Sequence, residues 1–296
     1  MTATRASVNA EEIVQQIELE PDVTIRRAAS PADYRECQEA QRAAWGVKDN
    51  GYLVPIATMV GANLHGGIVL GAFLPDGRAV GMSFGFLGVV GDRVALYSQL
   101  TGVVPQYQSR GVGYALKMVQ KYIALAEGVE LIAWAFDPLQ AGNAHFNLER
   151  LGARVCRYID DMYGPRTDAL NAGAPTDRVI AEWEIGPKAA PRRPVPVGVA
   201  AHLPRLIEVS RRRDGLRVPA SYRPAPHAPT VLLELPRRIA ELRRDQPDLA
   251  EGWRRAVREA FLASLEAGYE AVGLFRETDG AERHDYYVLD RRKPGG

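Results

Sequence analysis

The sequence predicts an α/β protein: a mixed, mainly antiparallel sheet flanked by helices, with a smaller α/β unit toward the C-terminus. Three observations predict it. Apolar, strand-like stretches follow one another at 68–74, 79–90 and 94–104, with turn chemistry at Asp76-Gly77 and Gly91-Asp92, the pattern of an antiparallel meander. An amphipathic helix over 114–126 comes next. Residues 131–136 then form an unbroken apolar run, as expected of a strand covered on both faces.

The remaining elements follow in order. Residues 1–21 carry Glu11, Glu12, Glu18 and Glu20 and read as a polar arm, partly helical around 11–17. Residues 23–27 alternate like a first strand. Ser30-Pro31-Ala32-Asp33 supplies a capping serine with proline at the first helical position. A helix is predicted from there to about Ala44, and a second over 55–64. In the 114–126 helix, Leu116, Val119, Ile123 and Ala126 form the apolar stripe, with Lys117, Gln120 and Lys121 elsewhere around it. A short helix over about 143–151 ends at Gly152, a natural left-handed cap. Strands are predicted at 155–162 and 179–185.

Pro187, Pro191, Pro194 and Pro196 interrupt all periodicity, so residues 187–203 read as a stiff linker. Beyond it the pattern restarts with a strand at 231–236. A helix over 253–265 then places Trp253, Val257, Phe261 and Leu265 on one face. A hairpin of 271–275 with 286–289 is predicted around Asp279-Gly280. The predicted organisation is an arm (1–21), a first domain (22–186), the linker (187–203) and a C-terminal extension (204–296).

Composition narrows the function. Net charge is +1 over 296 residues, so no global field draws nucleic acid or a membrane surface. The basic clusters Arg211-Arg212-Arg213, Arg237-Arg238 and Arg291-Arg292-Lys293 are interspersed with acids and read as solvated surface. Two cysteines, Cys37 and Cys156, are too few for a disulfide framework or a cysteine-based zinc site; each reads as a small buried apolar residue, which fits a reducing cytoplasm. His65, His202, His227 and His284 lack metal-ligand spacing, and His145 lies off the apolar stripe, so no metal is expected and His145 reads as exposed. No apolar run approaches the length of about 18 residues that a membrane helix needs.

The run Gln108-Ser109-Arg110-Gly111-Val112-Gly113 sits between the 94–104 strand and the helix after it. A glycine-rich turn at a helix N-terminus is an anion site: its N–H groups lack helical partners and the dipole favours negative charge. Gly111 and Gly113 admit a phosphate close to the backbone, and Arg110 adds a cation. A strand-to-helix turn that needs glycine for geometry alone is the competing reading. A dinucleotide fingerprint starting at Gly111-x-Gly113, with Asp137 as the ribose acid, fails because Leu116 stands at the third glycine position. Downstream, Asn143, Asn147 and Leu151 are spaced to share a helix face. Asn143 reads equally as an N-cap, while Asn147 calls for a partner.

Gln108-x-x-Gly111-x-Gly113, the apolar 131–136 strand, and Asn143 through Leu151-Gly152 together resemble the acyl-CoA site of the GNAT acyltransferase superfamily, over roughly residues 22–186. Trp134-x-Phe136-Asp137-Pro138-Leu139, Asn143-Ala144-x-x-Asn147, Leu151-Gly152-Ala153 and Tyr163-Gly164 resemble one little-characterised bacterial branch of it. Glu234-Leu235-Pro236, Trp253-Arg254 and Gly268-Tyr269 resemble that branch's C-terminal extension.

The resemblance implies a GNAT-like sheet with a V-shaped opening between two strands, and an acyl-CoA, acetyl-CoA by default, as co-substrate. It implies that Gln108, Ser109, Arg110, Gly111, Val112, Gly113 and Tyr114 hold the pyrophosphate. The pantetheine arm would bond main chain near Thr101 and Val103, with the thioester near Thr101 and Asn143 and with Asn147 as a further cofactor-binding residue. An amine would attack directly, and a strand N–H would hold the oxyanion. The acceptor implied is a small amine or amino acid. The branch's link with amino-acid racemases makes N-succinylation a variant, and a homodimer stays open. The departures are Leu148, where many relatives have a tyrosine acid, and the lack of a glutamate in the 94–104 strand. Tyr97 or Tyr163 would then serve as acid and Asp137 as base or amine anchor; a weakly catalytic acyl-CoA-binding regulatory module is the alternative.

Overall fold

The computed structural model describes residues 22–164, 175–187, 189, 200, 202–225, 227–279 and 282–291. The predicted polar arm, the hairpin tip at Gly280, Arg292, Lys293 and most of the proline-rich linker lie outside the described residues. The chain forms two compact units. One runs to Trp134 and takes back Glu184–Ala189; the other begins at Ala135 and holds most of the remaining chain.

The first unit obeys the local chemistry closely. Strand β1 (Thr24–Arg27) leads into helix α1 (Pro31–Trp45). The Ser30 hydroxyl accepts the Asp33 N–H at 3.1 Å, and the Asp33 carboxylate accepts the Ser30 N–H at 3.0 Å, a reciprocal cap. Arg26 pairs with Asp33 at 2.8 Å and holds its carboxyl far below the usual carboxylate range. Gly46, at φ +60°, ends the helix. Helix α2 (Ile56–Leu64) precedes the meander β2 (Ile68–Phe73), β3 (Ala79–Val90) and β4 (Arg93–Val103). Helix α3 (Val112–Ala126) and strand β5 (Leu131–Phe136) complete the unit. Strand order is β1-β2-β3-β4-β5. Each pair from β1 to β4 is antiparallel, and β5 joins β4 in parallel. Cys37, Met59, Val69, Met82 and Phe84 pack the core between α1, α2 and the sheet. The Cys37 thiol is pushed up to about 12 by burial, as is that of the half-buried Cys156.

Gly102 of β4 shows how tightly α1 sits on this sheet. A Cβ there would lie 2.3 Å from the Trp45 ring and 3.0 Å from the Ala44 Cβ. Gly102→Ala is therefore expected to cost roughly 1–3 kcal/mol by overpacking, read as a lowered thermal midpoint. An unchanged midpoint would show that Trp45 moves freely.

Helix α3 departs from the sequence reading. Lys117 and Gln120 are buried, Ile123 is half-buried and Ala126 is exposed. Its buried face is wider than the apolar stripe and rotated from it, because polar partners on β3 and β4 receive the two polar side chains.

In the second unit, helix α4 (Ala141–Ala144) runs into a wide π-type turn over His145–Arg150, and Gly152 comes next at φ +79°. The predicted cap at Asn143 is corrected: Gln140 occupies the cap position and Asn143 lies inside the helix, exposed. Strands β6 (Arg154–Ile159) and β7 (Arg178–Glu184) pair antiparallel. Hairpin β8 (Ile207–Arg211) and β9 (Arg217–Tyr222), unanticipated from sequence, turns at Gly215, φ +85°. Strand β10 (Thr230–Glu234), helices α5 (Ile239–Asp245, also unanticipated) and α6 (Pro247–Glu266), and the long pair β11 (Tyr269–Asp279) and β12 (Glu282–Arg291) complete the chain order. The unit's larger sheet has the order β7-β6-β11-β12-β10. Trp253, Val257 and Phe261 of α6 are fully buried, with Phe261 edge-on to Tyr287 at 4.9 Å.

The compact units are drawn differently from the sequence-based domains. Val155 of β6 pairs with Ala271 of β11, and Glu149 accepts the Leu274 N–H at 2.7 Å. These long-range bonds tie residues after Ala135 to the C-terminal strands. Ala200 and Leu203, from the end of the predicted linker, pack with Leu232, Phe275 and Tyr286.

Candidate functional site

The chain leaves β4 through Pro105–Tyr107 and turns into α3. Two residues of that turn have positive φ: Ser109 at +62° and Gly111 at +84°. Gly111 takes that angle without strain, whereas Ser109 takes it at a cost typical of functional turns. Gly111 is the N-cap of α3, and no side chain caps the first-turn N–H groups. Ser109, Arg110 and Gly111 are exposed, and the Arg110 guanidinium lies 5.4 Å from the Tyr107 ring centre. A Cβ on Gly113 would meet nothing nearer than Val103 at 3.6 Å, so this position is roomy and not forced to glycine by the protein itself. The turn is an exposed set of main-chain donors at the positive end of a 15-residue helix.

The neighbouring strand has an open edge. Val104 donates to the Val80 carbonyl of β3 at 2.9 Å. Antiparallel alternation then turns the main-chain groups of Thr101 and Val103 away from β3. On that side β5 pairs with β4 only at Leu96 with Ile132 and Tyr97 with Ala133, so the two strands part beyond Tyr97. The Gln108 amide donates to the Val103 carbonyl at 3.0 Å, linking the turn to this edge. At the fork, register slips between Phe84 and Phe86, and Ser98 and Gln99 together face Gly85: a β-bulge, which re-aims side chains and main-chain donors locally.

A buried polar chain lies under the fork. Lys117 Nζ donates to Ser98 Oγ at 2.9 Å and to Gln120 Oε1 at 3.1 Å, and sits 4.0 Å from the Trp134 ring centre. Gln120 Nε2 donates to Ser83 Oγ at 3.0 Å, and Ser83 shares a hydrogen with Thr101 Oγ1 at 2.8 Å. Burial pushes the Lys117 amine down to about 7. The sequence reading missed Lys117 and Ser83; the visible signal was a lysine and a glutamine three apart beside an apolar stripe.

Thr101, Val103 and Gln108 to Tyr114 are thus brought together in the first unit, with Tyr97 at the fork, its ring 5.5 Å from Phe86. Asp137, Asn143, Asn147 and Tyr163 belong to the second unit. Asp137 Oδ1 accepts the Leu139 N–H at 2.9 Å and its Oδ2 pairs with Arg243 at 2.8 Å, so both oxygens have protein partners. Tyr163 donates its N–H to Thr176 Oγ1 at 2.9 Å, with Arg178 5.3 Å from its ring centre. Asn147 is buried, and its carbonyl accepts the Ala153 N–H at 3.0 Å. His145 is half-buried, not exposed, and burial together with Arg276 lowers its pKa.

The second unit also holds a small cavity lined by Arg217, Glu234, Trp253 and His284. Its charges satisfy each other, Arg217 clasping Glu234 at 2.7 and 2.9 Å. Among the described residues, no group of three or more His, Cys, Asp or Glu is placed to hold a metal ion, and no helix is long and apolar enough to cross a membrane.

No protein-family model matches the chain, and no curated protein matches its sequence significantly. Among solved structures, yncA of Salmonella typhimurium, solved with its cofactor acetyl-CoA, is 21% identical with a TM-score of 0.45, over 57% of this chain and 98% of that one. A GNAT-family acetyltransferase of Elizabethkingia anophelis with acetyl-CoA bound is 15% identical with a TM-score of 0.42, over 56% and 99%. The ribosomal-protein-S18-alanine N-acetyltransferase of Escherichia coli is 18% identical with a TM-score of 0.42, over 57% and 99%. The chain is similar in fold to these acetyltransferase structures.

Proposed function

We propose that the protein is an acyl-CoA-dependent N-acyltransferase of the GNAT superfamily. The observation that carries this reading is the conjunction, in one unit, of the open β4 edge at Thr101 and Val103 with the capless turn Ser109 to Gly113 at its end. A coenzyme A matches both. Its pyrophosphate takes the main-chain donors of residues 109–114, with Gln108 and Arg110 beside them. Its amide-bearing arm lies along the strand edge as an added strand would, and its thioester reaches the fork near Tyr97 and Thr101.

An amine attacks the carbonyl there, a strand N–H holds the oxyanion, and proximity supplies much of the rate. Tyr97, on β4 at the fork, is the acid in this reading. Acetyl is the default acyl group, and the acceptor is a small amine or amino acid, with N-succinylation as the variant. Asn143 and Asn147 remain proposals as cofactor-binding residues, and a cytoplasmic enzyme, monomeric or homodimeric, fits the reading. Leu148 is fully buried and supplies no hydroxyl, and Asp137 pairs with Arg243; these two facts favour the second reading, an acyl-CoA-binding module with weak turnover.

Calorimetry with acetyl-CoA tests the site: a micromolar dissociation constant is expected, and no binding overturns it. Thiol release from acetyl- or succinyl-CoA across a panel of amino acids separates enzyme from binding module.

A further inference from the structure

The least economical feature of the first unit is Lys117. It is buried, and no carboxylate pairs with it among the described residues. Its surroundings are nonetheless built for an ammonium. Three N–H donors meet three electron-rich partners: Ser98 Oγ, Gln120 Oε1 and the Trp134 ring face. A buried cation without a counter-ion is costly, and such groups concentrate where a reaction needs their charge.

Its place in the fold says which charge. Ser98 immediately follows the last β4 residue paired with β5, and Trp134 immediately follows that residue's β5 partner. Lys117 therefore bridges the two strands where they part. An acyl-CoA anchored by its pyrophosphate at residues 109–113, with its arm along Val103 and Thr101, brings its sulfur to this fork.

We propose that Lys117 is a positioning residue that pins the bulged Ser98 and supplies the positive field stabilising the departing thiolate of coenzyme A. The inference rests on the acyl-CoA reading. In the step concerned, the N–C bond forms and the thioester C–S bond breaks with its electron pair leaving on sulfur. The sulfur takes its proton from Tyr97, the acid of the proposed reaction, and the proton lost from nitrogen reloads Tyr97 through water. Until the Tyr97 proton arrives the leaving thiolate carries its charge, and Lys117, which that negative charge keeps protonated, lowers its energy over that interval. Its partners Ser98, Gln120 and Trp134 are uncharged, so no nearby carboxylate cancels the field.

The test needs no acceptor. The thiolate absorbance of free coenzyme A is compared with that of coenzyme A bound to the wild-type protein near neutral pH. A free thiol ionises near 8.5, and about tenfold more thiolate is expected in the complex. Lys117→Met is expected to bind with similar affinity and lose the excess thiolate, while Lys117→Arg keeps most of it. A merely structural lysine would leave the thiol unmoved. Equal thiolate in free and wild-type-bound coenzyme, or an undiminished excess in Lys117→Met, overturns the inference. If Lys117→Met fails to fold, the comparison of wild type with free coenzyme still decides it. Failure of coenzyme A to bind at all overturns the acyl-CoA reading and this inference with it, an outcome calorimetry distinguishes from binding without thiol ionisation.

Discussion

Gly111→Glu is expected to weaken acetyl-CoA binding about a hundredfold or more, which corresponds to roughly 3 kcal/mol. Gly111 is the N-cap of α3 at φ +84°, and the new carboxylate lands among the donors proposed to take the pyrophosphate. Two unit charges about 4 Å apart near a protein surface repel by roughly 4 kcal/mol, more than enough for the loss. A side chain in the left-handed region adds about 1–2 kcal/mol of strain, so the thermal midpoint falls by a few degrees. Gly111→Ala separates the two effects: it carries the strain without the charge, and keeps most of the affinity. Unchanged affinity in Gly111→Glu would remove the turn from the site and the enzymatic reading with it.

The largest stability effect is expected at Asp177, in the second unit. Its carboxylate accepts from Arg258 at 2.7 and 2.9 Å, from Arg254 at 3.1 Å and from the Tyr158 hydroxyl at 2.6 Å. It is 3% exposed. Asp177→Ala leaves two arginines and a tyrosine without their shared acceptor and is expected to cost roughly 3–5 kcal/mol, as breaking a buried ion pair does. Burial alone would push the Asp177 carboxyl up, but its bonds from Arg258 and Tyr158 outweigh that and hold it at about 2. The sign comes from linkage: the folded value lies below the ordinary 3.8, so the stabilisation is complete above that value and is lost as pH falls toward about 2. Urea denaturation at neutral pH and near pH 3 checks both points. The wild type and variant should differ by several kcal/mol at neutral pH and by less in acid; a constant gap would show that Asp177 does not titrate as described.

Much of this architecture was legible locally. Ser30 with Asp33 announced a capped helix, and Gly46 ended it. The meander of β2, β3 and β4 was signalled by successive apolar stretches and by Gly77 and Gly91 in left-handed turns. The turn at Gly111 was equally plain, because positive φ singles out glycine. The hairpin β8–β9 was not legible, since Pro219 stands inside β9, where proline argues against a strand, and beyond Ile207 its residues are exposed or half-buried. The π-type turn after Ala144 hid as well, because nothing in His145–Arg150 announces a widened helix.

The candidate site divided in the same way. The turn proposed to bind the anion depends on backbone angles set within six residues, so sequence alone determined its shape. Which polar groups are available for chemistry depends on partners far away in the chain, so tertiary structure decided it. Asp137 read as a base or an amine anchor from sequence, and only the fold shows that Arg243 pairs with it. Lys117 looked like helix surface until Ser98 and Trp134 enclosed it at the fork of β4 and β5. Local periodicity records which face of an element is apolar; only packing records which charge is left without water and must be answered by a neighbour or a ligand.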